Sequence, residues 1–181
     1  MNQEQAEQPI INLHGDLVAL GPRQRDHIPL FLRWINDFAV THSYGMRFRN
    51  RTWEAMQANY EQGSKGGPDF VDFTIYERAT LRPIGWTALE EIDHFDRTAK
   101  YIILIGEQRC WGQGYGTETT CLMLDYGFTG LGLHNIYLTV FSFNGLQRLS
   151  PPVSGVVGAR KPILPRYARM MVTWTIWRRR L

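Results

Sequence analysis

The sequence predicts a single α/β (α+β) domain with a mixed, mostly antiparallel sheet, and three observations support that prediction. Segments rich in β-branched and aromatic residues alternate with segments of helical spacing, in the order βααβββαβ. A turn rich in glycine joins the fourth predicted strand to the last predicted helix. The chain has 181 residues, and a chain of that size buries about 70% of its unfolded surface as one domain.

The elements around that turn follow from hydrophobic patterns and turn residues. The first four predicted strands are short apolar or alternating segments: residues 16–20, 70–76, 84–92 and 98–105. The first helix begins near Asp26, a candidate N-cap, and the second covers residues 53–61, with Thr52 as its N-cap. A fifth strand, residues 135–143, follows the last helix. Short turns between the second, third and fourth strands predict a meander.

The chain is organised around the strand, turn and helix of residues 100–126. The run from Tyr101 to Ile105 is continuously apolar, which is typical of a strand covered on both faces. Residues 111–116 (WGQGYG) place three glycines at alternate positions, just before apolar residues at helical spacing. These glycines leave the backbone bare next to the unpaired amides of the first helical turn and the positive end of the helix dipole. Together these features form a phosphate-binding site.

Two other nucleotide-binding loops fit this turn less well. A P-loop needs a Lys-Ser/Thr pair after its last glycine, and Thr117-Glu118 stands there instead. A dinucleotide fingerprint needs G-x-G-x-x-G in the first βαβ unit, with an acid about 20 residues later. This chain has G-x-G-x-G after several predicted strands. The P-loop is therefore excluded, and the dinucleotide interpretation is weak.

The turn, the strand before it and the later segment LGLHNIYLTVFSFN (residues 131–144) resemble one family, the GCN5-related N-acetyltransferases (GNAT). The similarity is greatest to its ribosomal-protein Nα-acetyltransferases (the RimJ/RimL type) and polyamine acetyltransferases. The pyrophosphate loop of the family is Q/R-x-x-G-x-G/A, and this branch often has a tryptophan where Trp111 stands. The resemblance covers residues 12–144, after a flexible leader of residues 1–11. It implies a GNAT fold whose fourth and fifth strands splay apart, with acetyl-CoA in the wedge between them.

The resemblance also implies which residues contact acetyl-CoA. The main chain of residues 113–117 is expected to hold the pyrophosphate, Trp111 and Gly112 to shape the turn, and Asn144 to reach the cofactor through its side-chain amide. The full set of expected cofactor contacts is Ile103, Leu104, Ile105, Trp111, Gly112, Gln113, Gly114, Tyr115, Gly116, Thr117 and Asn144. No metal site is expected.

Acetyl transfer to an amine needs a base, because a free alkyl amine has a pKa of about 10.4 by analogy with lysine. Glu107 lies just past the fourth strand, and Glu90 and Glu91 lie on the strand before it, so these three are the candidates. For any single one of them, a solvated surface carboxylate is the favoured alternative. The family's usual acid, a tyrosine on a later helix, has no match here, which puts catalysis in doubt but not cofactor binding.

Candidate acceptor contacts lie in the aromatic and basic connector between the first two helices and on the third strand. They are Tyr44, Arg47, Trp53 and Trp86. Aromatic rings there could pack on the alkyl part of an amine or make a cation–π contact. Arginines in the connector fit a peptide N-terminus better than a bare polycation, and an ordinary surface between helices is the alternative.

After Asn144 the sequence departs from the family pattern, because Pro151 and Pro152 fall where a helix should continue. One hypothesis is a reading-frame shift in the gene: plausible codons for residues 145–151, shifted by one base, read Ala-Phe-Asn-Ala-Tyr-Arg-Arg. The other is a divergent terminus that serves a different substrate. Residues 145–181 form a basic tail, in which residues 172–177 alternate and could still form a strand.

Charge and cysteine content limit the functional classes. The net charge of +3 comes from the tail, since residues 1–144 hold 12 basic and 17 acidic groups. Nucleic acid is therefore an unlikely partner, and the acidic body suits a cationic amine. Two cysteines and the lack of a signal peptide or apolar span predict a cytoplasmic protein. The expected assembly is a monomer or a homodimer, and the sequence does not distinguish them.

Three functions compete. The first is an acetyl-CoA-dependent N-acetyltransferase that acts on a primary amine, either a small molecule such as a polyamine or a protein N-terminus. The second is a non-catalytic acyl-CoA-binding or regulatory module. The third is a nucleic-acid-binding protein that uses the arginine-rich tail.

Overall fold

A computed structural model describes residues 8–42, 50–64, 66–141, 159–160 and 171–177 of the chain. The strands are β1 (Leu13–His14), β2 (Val18–Gly21), β3 (Val71–Glu77), β4 (Pro83–Asp93), β5 (Thr98–Ile105), β6 (Asn135–Phe141), β7 (Ala159–Arg160) and β8 (Met171–Trp177). The α-helices are α1 (Ile28–Asn36), α2 (Phe38–Thr41), α3 (Trp53–Ser64) and α4 (Tyr115–Asp125). In the described part of the chain, no helix is long and apolar enough to cross a bilayer.

The strands form one mixed sheet in the order β1-β2-β3-β4-β5-β6-β8-β7. Strands β2 to β5 pair antiparallel, and β3, β4 and β5 form the predicted meander. Strands β5 and β6 run parallel but are joined at only three residue pairs: Thr98–Asn135, Ala99–Ile136 and Lys100–Tyr137. Beyond Lys100 the two strands are no longer paired. We call the gap between them the wedge, with its narrow end at Lys100 and its wide end at Ile105. The predicted splay of these strands is confirmed.

The tail contributes to this sheet. Strand β8 pairs antiparallel with β6 along all seven of its residues, from Trp177 opposite Asn135 to Met171 opposite Phe141. Strand β7 adds two pairs at the outer edge of β8. The expectation that residues 172–177 form a strand is therefore confirmed. Parts of the predicted leader (residues 1–7), connector (residues 43–49) and fifth strand (residues 142–143) lie outside the described residues.

Helices cover both faces of the sheet. Helix α4 packs on one face, where Tyr101 and Met123 belong to the larger buried cluster and Ile103 is packed against it. Helices α1, α2 and α3 cover the other face, where Leu104 packs with Phe31, Trp34 and Val40. Neighbouring residues of β5 thus contribute to opposite faces, as side chains do in an extended strand. The continuous apolar run of β5 reflects this double cover.

The N-terminal region differs from the prediction in two details. A two-residue strand, β1, precedes β2 and pairs with it as a hairpin. Residues Arg25–His27 form a 3-10 turn rather than the start of α1, and neither Gln24 nor His27, which precede the turn and the helix, makes a side-chain cap. Asp26 is therefore not the cap. The Thr52 cap of α3 is confirmed, since its hydroxyl accepts a hydrogen bond from the Ala55 amide at 3.3 Å.

Candidate functional site

The glycine-rich turn lies inside the connection between β5 and α4, residues 106–114, which we call the glycine loop. Gly112 has φ +73° and Gly114 has φ +90°, a left-handed conformation that favours glycine over any residue with a Cβ. Gly114 is the N-cap of α4 and has no side chain to satisfy the amides of the helix. The first intrahelical bond there runs from the Glu118 amide to the Gly114 carbonyl at 3.0 Å. The amides of residues 115–117 precede it and have no intrahelical acceptor.

Two side chains of the loop donate hydrogen bonds to main-chain carbonyls in the loop or directly before it. The Trp111 indole N–H donates to the Ile105 carbonyl at 2.8 Å, and the ring packs against the cluster on the α1 side. The Gln113 side-chain amide donates to the Arg109 carbonyl. Trp111 thus links the loop to the end of β5, and its role at the cofactor stays a prediction. The Gln113 side chain bonds within the loop, so its main chain is the part available to a ligand.

A carboxylate outside the loop contacts Arg109, within the loop, and Tyr115, directly after it. Glu77, the last residue of β3, accepts from Arg109 at 3.1 Å and 3.4 Å, from the Tyr115 hydroxyl at 3.2 Å and from the Thr80 hydroxyl at 2.6 Å. The hydrogen bonds from Arg109, and next that from Thr80, lower the pKa of Glu77 to about 2. Neither Glu77 nor Arg109 was among the sequence candidates. The signal for Arg109 was available, because it begins the R-x-x-G-x-G pattern that ends at Gly114.

A second carboxylate fastens the N-terminal hairpin to the start of α4. Glu118 accepts hydrogen bonds from the amides of Asp16, Leu17 and Val18 at 2.7–2.8 Å. The turn between β1 and β2 is thereby held beside the glycine loop. A Cβ placed on Gly114 would lie 3.3 Å from a Leu17 methyl. Sequence reasoning gave no sign of this contact, since the partners are about 100 positions apart.

Glu107 lies at the wide end of the wedge, on the side of α1. Its carboxylate accepts from the Arg33 guanidinium and, at 2.9 Å, from the indole N–H of Trp34. Gly106 allows this approach, because a Cβ there would overlap the Trp34 ring. A shallow, open pocket of about 260 Å³ adjoins the carboxylate, lined by Arg33, Trp34, Asp37, Gly106, Glu107, Gln108 and Arg109. Glu107 is thus held by two donors at the rim of this pocket.

Glu90 and Glu91 lie at the opposite, narrow end of the wedge. The Lys100 ammonium donates to Glu90 at 2.6 Å and to Glu91 at 3.3 Å, and the Tyr137 hydroxyl donates to Glu91 at 2.7 Å. Glu91 has φ +54° where the β4–β5 register shifts. We call these four side chains the narrow-end cluster. Strand register brings them together, and Lys100 and Tyr137 were missed because no sequence spacing reveals a cross-strand pair.

The narrow-end cluster shifts the pKa of its members. The Tyr137 hydrogen bond and the Lys100 ammonium lower the pKa of Glu91. Burial alone would lower the pKa of Lys100, but its bonds to Glu90 and Glu91 outweigh burial and raise it. Burial, and next the bond to Glu91, raise the pKa of Tyr137 to about 12. At neutral pH the cluster therefore holds an ionised Glu91, a protonated Lys100 and a neutral Tyr137.

The acceptor candidates are only partly described. Tyr44 and Arg47, like the cofactor candidate Asn144, lie outside the described residues. Trp53 is the first residue of α3 and is 42% exposed. Trp86 packs on the α1 side of the sheet, and its indole N–H donates to Asp72 at 3.3 Å.

Residues 18–147 match the acetyltransferase (GNAT) domain family. The chain belongs to this family. It is 41% identical over 80 residues to the spermidine N(1)-acetyltransferase of Escherichia coli (strain K12), which is 40% of this chain and 42% of that protein. The spermidine N(1)-acetyltransferase of Vibrio cholerae is 38% identical over 66 residues, which is 36% of this chain and 38% of that protein. The chain thus aligns with about two-fifths of the length of these curated relatives.

Solved structures show the same GNAT fold. The crystal structure of spermidine N-acetyltransferase from Vibrio cholerae in complex with CoA and spermine superposes with a TM-score of 0.74 at 20% identity, covering 91% of this chain and 97% of that one. Identity this low establishes the fold alone. The predicted GNAT fold is confirmed.

GNAT acetyltransferases use acetyl-CoA, and the residues present here fit its diphosphate. Gly112 has open space where a Cβ would stand, and the loop has left-handed backbone that only glycine adopts readily. The free amides at the start of the 11-residue helix α4 are hydrogen-bond donors of the kind that hold phosphate. Residues 101–105 of β5 border the wedge, and beyond Lys100 that edge has no strand partner among the described residues.

Proposed function

We propose that the chain is an acetyl-CoA-dependent N-acetyltransferase that moves an acetyl group to a primary amine by direct transfer in a ternary complex. One observation carries the proposal: the glycine loop opens onto the free amides of α4 at the wide end of the wedge. Helix amides and a glycine backbone suit a diphosphate, and an unpaired strand edge suits the amide-bearing arm of coenzyme A. Family membership and the GNAT fold support the same activity.

The two ends of the wedge suggest different roles for the three candidate carboxylates. When bound, acetyl-CoA would supply the activated thioester. With the diphosphate at the glycine loop and the arm along β5, the reacting end would lie towards the narrow-end cluster. Glu90 and Glu91 would therefore lie closer than Glu107 to the ammonium of an acceptor. Glu90 is the proposed base, because the hydrogen bonds that lower the pKa of Glu91 make that carboxylate a weaker proton acceptor. Glu107, fixed by Arg33 and Trp34, is better suited to holding α1 against the loop.

A polyamine is the acceptor class that we propose. The curated relatives that align with the chain are spermidine N(1)-acetyltransferases. Asp72, which pairs with Arg23 at 2.8 Å, and Glu90 lie on the same face of neighbouring strands, because Asp72 is opposite Ala88 and Glu90 is two residues further along β4. Carboxylates spaced along one face would attract a chain with several ammonium groups, which would compete for them with Arg23 and Lys100. A protein N-terminus, the substrate of the RimJ/RimL type, is the acceptor against which this class should be tested.

The test has two steps. Isothermal titration calorimetry of the folded protein with coenzyme A measures cofactor uptake, and release of free thiol from acetyl-CoA measures transfer. The acceptor panel should contain spermidine, spermine, an aminoglycoside and peptides with ribosomal-protein N-termini. We expect uptake of coenzyme A and thiol release with the polyamines. Absence of coenzyme A binding would refute the proposal. Thiol release with the peptides alone would refute the polyamine acceptor and identify a protein N-terminus, the substrate of the RimJ/RimL type, as the acceptor.

A non-catalytic acyl-CoA-binding module is the second candidate. The departure from the family pattern after Asn144 favours it, because the tyrosine that usually protonates the leaving thiolate has no counterpart in the sequence there. Binding of coenzyme A without thiol release from any amine of the panel would identify this function. Sequencing the gene would show whether another frame encodes the missing helix.

Two further parts of the proposal concern the whole protein. We propose a cytoplasmic location. We also propose a monomeric or homodimeric state, and analytical ultracentrifugation would measure that state. The arginine-rich tail is not proposed as a nucleic-acid site, because strand β8 within it pairs along its full length with β6.

A further inference from the structure

The Glu77 carboxylate occupies an unusual position relative to the glycine loop. Its main chain is fixed in the sheet: the residue pairs with Val18 of β2, its amide donates to the Arg82 carbonyl at 2.9 Å, and its carbonyl accepts from the Leu81 amide at 2.8 Å. Its side chain is only 12% exposed. The carboxylate is therefore a rigid point to which flexible groups can be fastened.

Residues 109–115, the glycine-bearing part of the connection, are fastened to this point at both ends. Arg109 begins this segment and Tyr115 ends it, and both donate to the same Oε1 atom, at 3.1 Å and 3.2 Å. The second arginine nitrogen donates to Oε2 at 3.4 Å. Between the two contacts lie Gly112 and Gly114, whose backbones are the most permissive in the loop. The carboxylate thus closes a short chain segment that would otherwise sample many conformations.

Fixing these ends matters because a glycine backbone loses more conformational entropy than any other when a ligand orders it. A loop that already holds its amides in the bound arrangement avoids that cost, so the ligand binds more tightly. The same carboxylate carries a negative charge, which would by itself weaken binding of a diphosphate. Its pairing with Arg109 offsets that charge and keeps a guanidinium beside the loop, with 52% of the arginine side chain exposed.

We propose that Glu77 is a positioning residue for coenzyme A. Acting through Arg109 and Tyr115, it holds the glycine loop in the diphosphate-binding arrangement in the free protein, and so sets cofactor affinity without taking part in acetyl transfer. This inference rests on the proposed function, and it assigns a role to a residue outside the loop pattern. A structural role alone would predict loss of stability with no selective effect on the cofactor.

The experiment compares coenzyme A binding by calorimetry in the wild-type chain, Glu77→Gln, Tyr115→Phe, the double variant and Glu61→Gln. Glu61 is the matched control, because its carboxylate also accepts a side-chain hydrogen bond, from Gln57 at 3.0 Å, but lies on α3. We expect coenzyme A to bind about tenfold more weakly to Glu77→Gln and about threefold more weakly to Tyr115→Phe. The double variant should bind less weakly than the product of the two single effects predicts, since the hydroxyl acts through the same side chain.

Steady-state kinetics should show the same selectivity. For Glu77→Gln the KM for acetyl-CoA should rise about tenfold, whereas kcat and the KM for the amine should stay within about twofold of wild type. Equal binding by wild type and Glu77→Gln, tighter binding by the variant, or additive effects in the double variant would each overturn the inference. If Glu77→Gln does not fold, Tyr115→Phe decides, and unchanged affinity in it overturns the inference. Failure of the wild-type chain to bind coenzyme A would instead refute the proposed function.

Discussion

The two ends of the wedge present different chemical groups, main-chain amides at one end and side chains at the other. At the wide end, the glycine loop and α4 present main-chain amides, and the carboxylates near them, Glu77 and Glu118, already have partners on the protein. At the narrow end, the chemistry lies in side chains from three adjacent strands. The difference suggests that cofactor binding depends on local backbone geometry, whereas acetyl transfer depends on strand register.

The largest expected effect concerns the narrow end. Replacing Glu90 and Glu91 together by glutamine should lower kcat about 100-fold, because a positioned general base contributes at least that much. The KM for acetyl-CoA should stay unchanged, since the glycine loop is untouched. Rates of thiol release with spermidine at saturating acetyl-CoA measure the effect.

Glu107→Gln is the matched control for that prediction. It removes the third candidate carboxylate at the opposite end of the wedge, where Trp34 and Arg33 hold it. We expect a fall in kcat of less than about tenfold from this variant. A larger fall from Glu107→Gln than from the double variant would reverse the proposed assignment of the two ends.

The second prediction tests the wide end. Gly114→Val places a β-branched side chain at φ +90°, which costs about 2 kcal/mol and brings the side chain against Leu17. The loop should relax away from its binding arrangement, and coenzyme A affinity should fall about 30-fold, as measured by calorimetry.

Gly66→Val separates backbone strain from ligand binding. Gly66 has φ +65°, and nothing lies within 4 Å of where its Cβ would stand, so a valine there suffers similar backbone strain away from the loop. It should lower the free energy of unfolding and leave coenzyme A affinity unchanged. Equal loss of affinity in both variants would mean that the glycine loop has no special role.

The third prediction concerns the support of α4. Glu118→Gln weakens three hydrogen bonds from the β1–β2 turn to a charged acceptor, and it should lower the free energy of unfolding by about 1.5 kcal/mol. Chemical denaturation measures that loss, and hydrogen exchange should show faster opening at the amides of Asp16, Leu17 and Val18. Unchanged protection of those three amides would contradict the proposed contact.

The same contrast explains what could be predicted from the sequence. The wide end was readable because glycine spacing, a strand end and a helix start are local features of residues 101–117. The splayed strands followed from the family resemblance. The narrow-end cluster was only half visible: Glu90 and Glu91 were candidates, but their partner Tyr137 is 46 positions away from Glu91. Glu118 and Glu77 gave no signal, because a carboxylate that binds distant groups looks like any surface acid.

The smallest expected effect is a change in acid unfolding, which shows whether the hydrogen bonds to Glu77 form. Its pKa is lowered to about 2 in the folded chain, against an ordinary value of 4.5. A carboxyl with a lowered folded pKa stabilises the fold above its unfolded pKa, and this stabilisation disappears as the pH falls from about 4.5 to about 2. The unfolding free energy of wild type should therefore fall more steeply through that window than that of Glu77→Gln. Parallel acid-unfolding curves for the two proteins would mean that the Arg109 and Tyr115 contacts do not form in solution, and the two ends of the loop would then be free.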